Sequence, residues 1–234
     1  VTGEQVYARA ADDYTRDFLR LGQSPETGLL AWGEHLYYDV FRDRVAAERI
    51  HHEFLAGTPP WAQFHRIDPV ATAKAIAGIR HHFRSFEPDD FLFNRHTPWL
   101  APAFQEAGQP WIKHTGLQAY SFAFLYSVTG DDRWLKWLRG TGSLYWDRRH
   151  PVTGLVPGCI GDPRDQARQS GLGGTALLAY FLLQAWELAP GEGWLRERAE
   201  ALLVAAEKYS RAEAGYFERT TVEGEPATGL MTPW

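Results

Sequence analysis

Residues 117–146, LQAYSFAFLYSVTGDDRWLKWLRGTGSLYW, contain the local signals that decide the fold class. Apolar side chains recur through both halves of this stretch at helical spacing. Between the halves lies Thr129-Gly130-Asp131, in which the glycine ends one helix and the aspartate caps the next. The stretch therefore predicts two helices, Leu117 to Val128 and Asp132 to Trp146, joined by a tight turn.

Helical patterns extend over most of the remaining chain. Apolar positions repeat at three- and four-residue steps from Gln5 to Leu21, where Gly22 ends the pattern. Asp68-Pro69 is a strong helix start, and this helix should continue to about Phe83. The pattern lacks any alternating segment long enough for a substantial strand, so the predicted fold class is all-α. Further helices are predicted at Arg42 to Leu55, Gly173 to Leu188 and Gly193 to Ser210.

One short motif recurs after helical segments. It has the form Thr-Gly-Leu plus an apolar residue, and it occurs at residues 27–30, 153–156 and 228–231. Repetition on this scale indicates stacked helical hairpins. Long connections that alternate with short ones predict an α/α toroid, here an incomplete barrel of helical hairpins. An α-solenoid or an irregular bundle is the alternative.

The toroid pattern also bears on domain organisation. We expect a single toroid-type domain over residues 1–234. The sequence ends at Trp234, directly after the third copy of the motif and where a new hairpin should begin. This position predicts that the chain is part of a longer protein.

Composition restricts the classes of partner. The net charge of −5 gives no basic surface for a nucleic acid or an anionic membrane, so neither partner is expected. No apolar run of about 18 residues is present, so no transmembrane helix is expected. Localisation is periplasmic or secreted if a signal peptide has been removed, and cytoplasmic otherwise. The single Cys159 excludes an internal disulfide, and the oligomeric state stays open.

The candidate chemistry lies in the first half of the chain, which holds eight of the nine histidines. The segment Phe91 to His96 ends in an amide, a guanidinium and an imidazole. His35, Glu53 and His96 together offer two neutral nitrogens and one carboxylate, a ligand set suited to a divalent transition metal. The residues therefore predict a metal site beside Arg95, although each histidine alone could serve as a helix cap or a surface group.

Several motifs follow one another in this half. They are Trp32-Gly33-Glu34-His35-Leu36-Tyr37-Tyr38-Asp39, the pair His52-Glu53 in a presumed helix, Pro59-Pro60-Trp61, and Phe93-Asn94-Arg95-His96. Their order resembles family 2 of the polysaccharide lyases, the pectate and exopolygalacturonate lyases with an α/α toroid fold. The resemblance covers about residues 28–115.

The resemblance implies a specific chemistry. It implies that His35, Glu53 and His96 hold a divalent ion, manganese or another transition metal, and that Arg95 is the base. The implied reaction is β-elimination on a uronic-acid polymer such as pectate or polygalacturonate, so the expected partner is an acidic polysaccharide or oligosaccharide. Metal binding at the uronate carboxylate would make the proton on C5 more acidic.

The identity of the base has alternatives. A guanidinium normally keeps its proton, because its pKa lies above about 12. Arg95 could therefore bind and stabilise the anion instead of accepting a proton. In that case Lys113 or His114 would be the proton acceptor.

Substrate contacts are expected from side chains near the motifs. Ten tryptophans suit stacking on sugar rings as well as packing in a helical core. Trp32, Trp61, Trp99 and Trp111 could line a groove that binds sugar rings, although core packing is expected for at least two of them. His81 and His82, near a helix end, are expected to be structural, with a positive imidazole favouring the helix dipole. The substrate-binding candidates are Trp32, Tyr38, Asn94, Trp99, Trp111 and His114.

Two other functions are compatible with the sequence. A glycoside hydrolase of the same fold would need two carboxylic acids about 5 to 10 Å apart and no metal. Its candidates are Asp39, Glu53 and Asp162. A non-catalytic carbohydrate-binding protein would use its tryptophan surface and would form no unsaturated product.

Overall fold

The computed structural model of the protein describes residues 4–25, 27–30, 37–46, 51–53, 59–83, 85–94, 96–98, 110–161 and 168–231. The chain divides into two units, residues 1–87 with 94–107 and residues 88–93 with 108–234. Each unit contains its own helices and short strands. A single toroid-type domain over the whole chain stays a prediction.

The helices described in the first unit are α1 (Gln5–Leu21), α2 (Trp61–Ile67) and α3 (Pro69–Gly78), and a 3₁₀ turn (Ile79–His82) follows α3. The predicted bounds of α1 are confirmed. The predicted start of α3 is also confirmed, because the Asp68 carboxylate accepts a hydrogen bond from the N–H of Ala71 at 2.8 Å.

The strands described in the first unit are β1 (Tyr37–Asp39), β2 (Arg44–Ala46), β3 (His51–Glu53) and β4 (His96–Pro98). β1 pairs antiparallel with β2, and β3 pairs antiparallel with β4. All four are only three residues long, in keeping with the absence of long alternating segments in the sequence.

The helix predicted from Arg42 to Leu55 is wrong wherever the structure describes that stretch, because β2 and β3 lie there. The Asp39 carboxylate accepts hydrogen bonds from the N–H groups of Phe41 at 3.0 Å and Arg42 at 3.1 Å. Asp43 has a φ of 50°. A side-chain bond of this kind stabilises a reversal of the chain, and a positive φ interrupts a right-handed helix.

The second unit is built on α4 (Ile112–Thr129), α5 (Asp132–Ser143), α6 (Leu172–Leu188) and α7 (Trp194–Ser210), with a 3₁₀ turn (Trp146–Arg148) after α5. Both predicted helix pairs are present, although α5 ends at Ser143 and not at Trp146. Gly130 ends α4 with a φ of 66°, and the Asp131 carboxylate accepts from the N–H of Arg133 at 3.0 Å to cap α5.

The start of α4 differs from the prediction. It begins at Ile112 and not at Leu117, because the prolines before it do not prevent a helix from starting shortly after them. The N–H of Ile112 donates to the carbonyl of Gly158 at 3.2 Å, so a neighbouring segment satisfies one N–H of the first turn.

The four helices of the second unit pack as two hairpins. α4 packs against α5 and α6, and α6 packs against α7. α4 buries residues on all of its sides, whereas α5 and α7 each keep an exposed face. Gly116 allows α4 and α6 to approach closely, since a β-carbon there would lie 3.0 Å from the Cα of Leu178. Inner and outer helices of this kind are the pattern expected of a toroid.

Short strands lie around the helices of the second unit. β5 (Gln169–Gly171) pairs with β8 (Arg219–Thr221). A second sheet has the order β6 (Arg211–Ala212), β7 (Gly215–Phe217) and β9 (Leu230–Met231). All the pairings are antiparallel.

The first copy of the Thr-Gly-Leu motif forms a closed turn. The N–H of Gly28 donates to the carbonyl of Ser24 at 3.0 Å, and the N–H of Ser24 donates to the carbonyl of Leu29 at 2.8 Å. Gly28 has a φ of 79°, in the left-handed region that favours glycine.

The second copy has the same hydrogen bonds. Gly154 donates to the carbonyl of His150 at 2.9 Å, His150 donates to the carbonyl of Leu155 at 2.8 Å, and Gly154 has a φ of 74°. The third copy differs, because its Leu230 lies in β9 and pairs with Phe217. Two of the three copies are therefore structurally equivalent turns.

Among the described residues, no helix combines the length and the apolar character that crossing a membrane requires.

Candidate functional site

The strands β3 and β4 bring two of the three predicted metal ligands to opposed backbone positions. Their register pairs Glu53 with His96 and His52 with Thr97. Directly opposed residues are the nearest neighbours that two antiparallel strands provide, with β-carbons typically about 4.5–5.5 Å apart. The fold thus pairs Glu53 with His96 although they are distant in sequence.

Much of the remaining predicted site lies outside the described residues. The residues concerned are the third ligand His35, the proposed base Arg95, and the tryptophans Trp32 and Trp99. For Tyr38 the structure describes the backbone, which pairs with Val45 across β1 and β2.

Within the described part of the chain, no group of three His, Cys, Asp or Glu side chains could hold a metal ion. The predicted trio does not belong to that set, because His35 and the side chains of Glu53 and His96 lie outside it. The metal-binding roles of the three residues therefore stay predictions.

Asn94 is held at the residue position just before Arg95 and β4. Its N–H donates to the carbonyl of His82 at 2.7 Å, and its own carbonyl lies 2.9 Å from Nδ1 of His82. Asn94 is 8% exposed and His82 is 1% exposed. The segment that leads to the predicted site therefore starts from a buried residue whose backbone makes two hydrogen bonds to His82.

The histidines at the end of α3 have different environments. The ring of His81 packs edge-on against Phe86, with 5.0 Å between ring centroids. Burial, and secondly the charge of Arg80, lower the pKa of His81. The positive imidazole that we expected at this helix end is thus disfavoured at His81, whereas His82 acts through its bonds to Asn94.

The alternative bases Lys113 and His114 lie in the first turn of α4. Trp111 precedes this turn and forms an antiparallel bridge with Cys159. Lys113 is partly exposed, whereas His114 is only 1% exposed. Trp111 is partly exposed as well, so it keeps some surface for a ligand.

Gln118 is a buried polar residue that the sequence analysis missed. It is fully buried, and neither its amide oxygen nor its amide nitrogen has a hydrogen-bond partner among the residues that the structure describes. It lies one helical turn after His114, on the same side of α4. Its spacing from His114 can be read from the sequence, but the burial of its amide cannot.

Two further residues with predicted functional roles, Asp39 and Trp61, stabilise the fold in the structure. The Asp39 carboxylate, a candidate for the hydrolase alternative, accepts the two backbone bonds of the turn that follows β1. Asp162, another candidate for that alternative, lies outside the described residues. Trp61 is 2% exposed and packs edge-on against Phe64, with 5.9 Å between ring centroids, so it belongs to the core.

A family model described as periplasmic pectate lyase matches residues 1–168. This range includes all the residues for which the sequence predicts a catalytic, metal-binding or substrate-binding role. A comparison with curated proteins gave no match.

Several solved structures resemble the chain in fold. D-mannose isomerase matches 100% of the chain with a TM-score of 0.68 and 14% identity. Cellobiose 2-epimerase from Spirochaeta thermophila matches 98% of it with a TM-score of 0.65 and 13% identity. An unsaturated glucuronyl hydrolase with dGlcA-Glc-Rha-Glc matches 96% of it with a TM-score of 0.63 and 16% identity.

These neighbours are α/α toroid enzymes, so the predicted all-α fold of the toroid type is confirmed. The chain spans 62% of the length of the isomerase, 62% of the epimerase and 67% of the hydrolase. At identities this low, the likeness carries the fold alone.

Proposed function

Because the chain belongs to the periplasmic pectate lyase family, we propose that it is a metal-dependent polysaccharide lyase. The proposed reaction is β-elimination on a uronic-acid polymer of the pectate or polygalacturonate type. The family match supports the lyase class, and it extends beyond the residues that carry the proposed site.

At a coarser level, the family supports a carbohydrate-processing enzyme, and the fold of the structural neighbours is compatible with it. The neighbours are isomerases, epimerases and hydrolases, so the choice of a lyase depends on the family alone. The family also supports an acidic polysaccharide as the substrate and the periplasm as the location.

The observation that carries the metal site is the register of β3 and β4, which opposes Glu53 and His96. One carboxylate and one imidazole at opposed positions are chemically suited to a manganese-like ion, and His35 would complete the set. A register shifted by one residue would instead oppose His96 to a neighbour of Glu53. The observed register is therefore compatible with this ligand set and supports the proposal.

A divalent ion at these ligands would supply positive charge at the uronate carboxylate and so acidify the proton on C5. Arg95, next to His96 in sequence, would add a planar guanidinium with several N–H donors. Such a group binds a carboxylate at two points and stabilises the negative charge that develops during elimination.

The proton on C5 still needs an acceptor. Arg95 can accept it only if neighbouring positive charge suppresses its own protonation, because a guanidinium ordinarily keeps its proton. Lys113 is the alternative, since it is partly exposed and can meet a polymer that arrives from solvent. His114 is 1% exposed and would need a local opening to do the same.

Aromatic and polar side chains are proposed to hold the sugar rings. Trp111 is partly exposed at the start of α4, which leaves part of its ring system free for stacking. Asn94 is mostly buried, so its contribution would be to fix the chain near the site. Trp32, Tyr38, Trp99 and His114 complete the proposed set.

The test is an assay of the purified chain on polygalacturonate after removal of metal with EDTA, with and without added Mn²⁺. Ultraviolet absorbance of the unsaturated product and the number of new reducing ends are measured together. Both should rise in parallel and only with the ion. Fully methyl-esterified pectin is the matched substrate control, because it lacks the free carboxylate that the site would bind.

Two results would overturn the proposal and identify the alternatives. New reducing ends without ultraviolet absorbance, unaffected by EDTA, would indicate a glycoside hydrolase. Retention on the polymer without any product would indicate a carbohydrate-binding protein.

A further inference from the structure

We propose that His82 is a positioning residue. Two hydrogen bonds between His82 and the backbone of Asn94 form a grip that fixes the start of the segment that carries Arg95 and His96. This inference rests on the proposed function, in which His96 is a metal ligand and Arg95 acts on the substrate. His82 itself touches neither the metal nor the substrate in this proposal.

The two hydrogen bonds involve both backbone groups of one residue. The carbonyl of His82 accepts from the N–H of Asn94 at 2.7 Å, and Nδ1 of His82 is 2.9 Å from the carbonyl of Asn94. A carbonyl oxygen only accepts hydrogen bonds, so Nδ1 must carry the hydrogen. His82 thus holds Asn94 at two points, and the side-chain bond selects one tautomer of the ring.

Burial makes these bonds specific. Because His82 is 1% exposed and Asn94 is 8% exposed, water cannot readily replace either partner. His82 is also held firmly, since it ends the 3₁₀ turn after α3 between the buried side chains of Ile79 and Phe83. The grip therefore connects a packed helix end to the start of the proposed site.

The position of Asn94 matters for register. His96, two residues later, opens β4 opposite Glu53. A slip of one residue along β4 would replace the Glu53–His96 pair by a different one. A fixed Asn94 prevents that slip, because only Arg95 lies between it and His96.

Two substitutions separate the hydrogen bond from the volume of the ring. His82→Leu introduces an apolar side chain of similar bulk and removes the Nδ1–H donor. His82→Asn loses volume but retains an N–H donor at the position that Nδ1 occupies. His81→Leu is the matched control, because it makes the same change at the next residue, whose ring packs on Phe86.

The readouts are Mn²⁺ affinity by electron paramagnetic resonance, hydrogen exchange of the Asn94 amide, and kcat and KM on polygalacturonate. His82→Leu should weaken Mn²⁺ binding by about 10- to 100-fold, the usual effect of losing a group that orients a ligand. It should also lower kcat more than it changes KM and speed exchange at Asn94. His82→Asn should restore most of each quantity, and His81→Leu should change little.

A role in packing alone predicts the opposite order, with His82→Leu closer to the wild type than His82→Asn. That order, or unchanged Mn²⁺ affinity in a folded His82→Leu protein, would overturn the inference and leave the proposed function intact. If the wild type neither binds Mn²⁺ nor forms unsaturated product, the proposed function fails. Hydrogen exchange then tests the grip by itself. If the Asn94 amide is equally protected in His82→Leu and in His82→Asn, the inference is refuted.

Discussion

The β3–β4 ladder and the four helices α4 to α7 are held together in different ways. In the helices, α6 packs against α4 and α7 and contributes fully buried apolar side chains such as Leu178 and Leu182, and Gly116 permits a close approach of α4 and α6. The ladder consists of three residue pairs, and the bonds between His82 and Asn94 precede it.

This difference separates stability from chemistry. A region with a large apolar interior contributes most of the free energy of folding, whereas a three-residue ladder contributes little but determines which backbone positions are opposed. Substitutions in the ladder should therefore affect metal binding and turnover, and substitutions in the helices should affect stability. The variants below test this separation, beginning with the largest effect.

His96→Ala should remove both metal binding and elimination. It deletes a proposed ligand, and the charge stabilisation by a bound ion amounts to several kcal/mol, so turnover should fall by about 1000-fold or more. Metal content is measured by elemental analysis and turnover by ultraviolet absorbance, while the melting temperature should change little. A variant that keeps both its metal and its activity would remove His96 from the site.

Arg95→Lys should abolish most elimination, by about 100- to 1000-fold, with nearly unchanged metal content. Lysine keeps the charge but lacks the planar fork, so it cannot reproduce two-point contact with a uronate. Turnover and bound metal are measured on the same sample. Retention of most of the turnover would make Arg95 only an electrostatic neighbour, and Lys113 or His114 would become the preferred base.

Lys113→Ala is the companion to that variant. If Lys113 only holds a carboxylate, its removal should raise KM by about 10-fold, as expected for the loss of one charged contact, and leave kcat nearly unchanged. A fall in kcat with little change in KM would instead assign proton transfer to Lys113. Steady-state kinetics on polygalacturonate distinguish the two outcomes.

Gly174→Ala and Gly173→Ala form a matched pair in the first turn of α6. A β-carbon at Gly174 would lie 2.6 Å from Cγ2 of the buried Ile112, whereas a β-carbon at Gly173 would meet no described atom within 4 Å beyond its own stretch of helix. Overpacking should make Gly174→Ala less stable by about 1 kcal/mol after its gain in helix propensity. Gly173→Ala should gain about 0.5 kcal/mol. Chemical denaturation measures both, and equal effects would contradict the packing.

The smallest effect concerns Glu192, which links α5 to the start of α7. Hydrogen bonds from Arg139 at 2.6 and 2.9 Å, and from Trp194 at 2.6 Å, hold the pKa of Glu192 below its ordinary value. A carboxyl group whose pKa is lowered in the folded protein stabilises the fold at pH values above its ordinary pKa. This contribution is lost as the pH falls through the lowered pKa. Glu192→Gln should therefore be less stable at pH 7 by about 0.4 kcal/mol, because the Arg139 side chain is largely exposed to solvent, and the difference should narrow in acid. Thermal denaturation across this pH range is the check, and a constant difference would contradict it.

The helices could be predicted from the sequence because their signals are local. The caps at Asp68 and Asp131 and the left-handed Gly130 act within a few residues, and the structure has each where the pattern indicates it. The apolar runs of α6 and α7 likewise gave the bounds of those helices to within one residue. Periodicity and caps thus predict the four helices of the second unit, although they place the start of α4 five residues too late.

The ladder could not be predicted because its cause is not local. Apolar spacing from Arg42 to Leu55 favours a helix, but the Asp39 turn and pairing with residues 96–98 produce strands instead. The motifs predicted Glu53 and His96 as metal ligands without indicating that their backbones would be paired. Neither the grip of His82 on Asn94 nor the buried amide of Gln118 could be found from periodicity, because both depend on tertiary burial.

Cys159 can report how often the region around the start of α4 opens. It is the one cysteine of the chain, it is fully buried, and its backbone bridge to Trp111 ties it to the start of α4. A thiol reagent can reach its sulfur only during an opening of that region, so the labelling rate of the native protein counts such openings. The count needs no substitution, and any slowing by polygalacturonate would measure how far the polymer keeps this part of the chain closed.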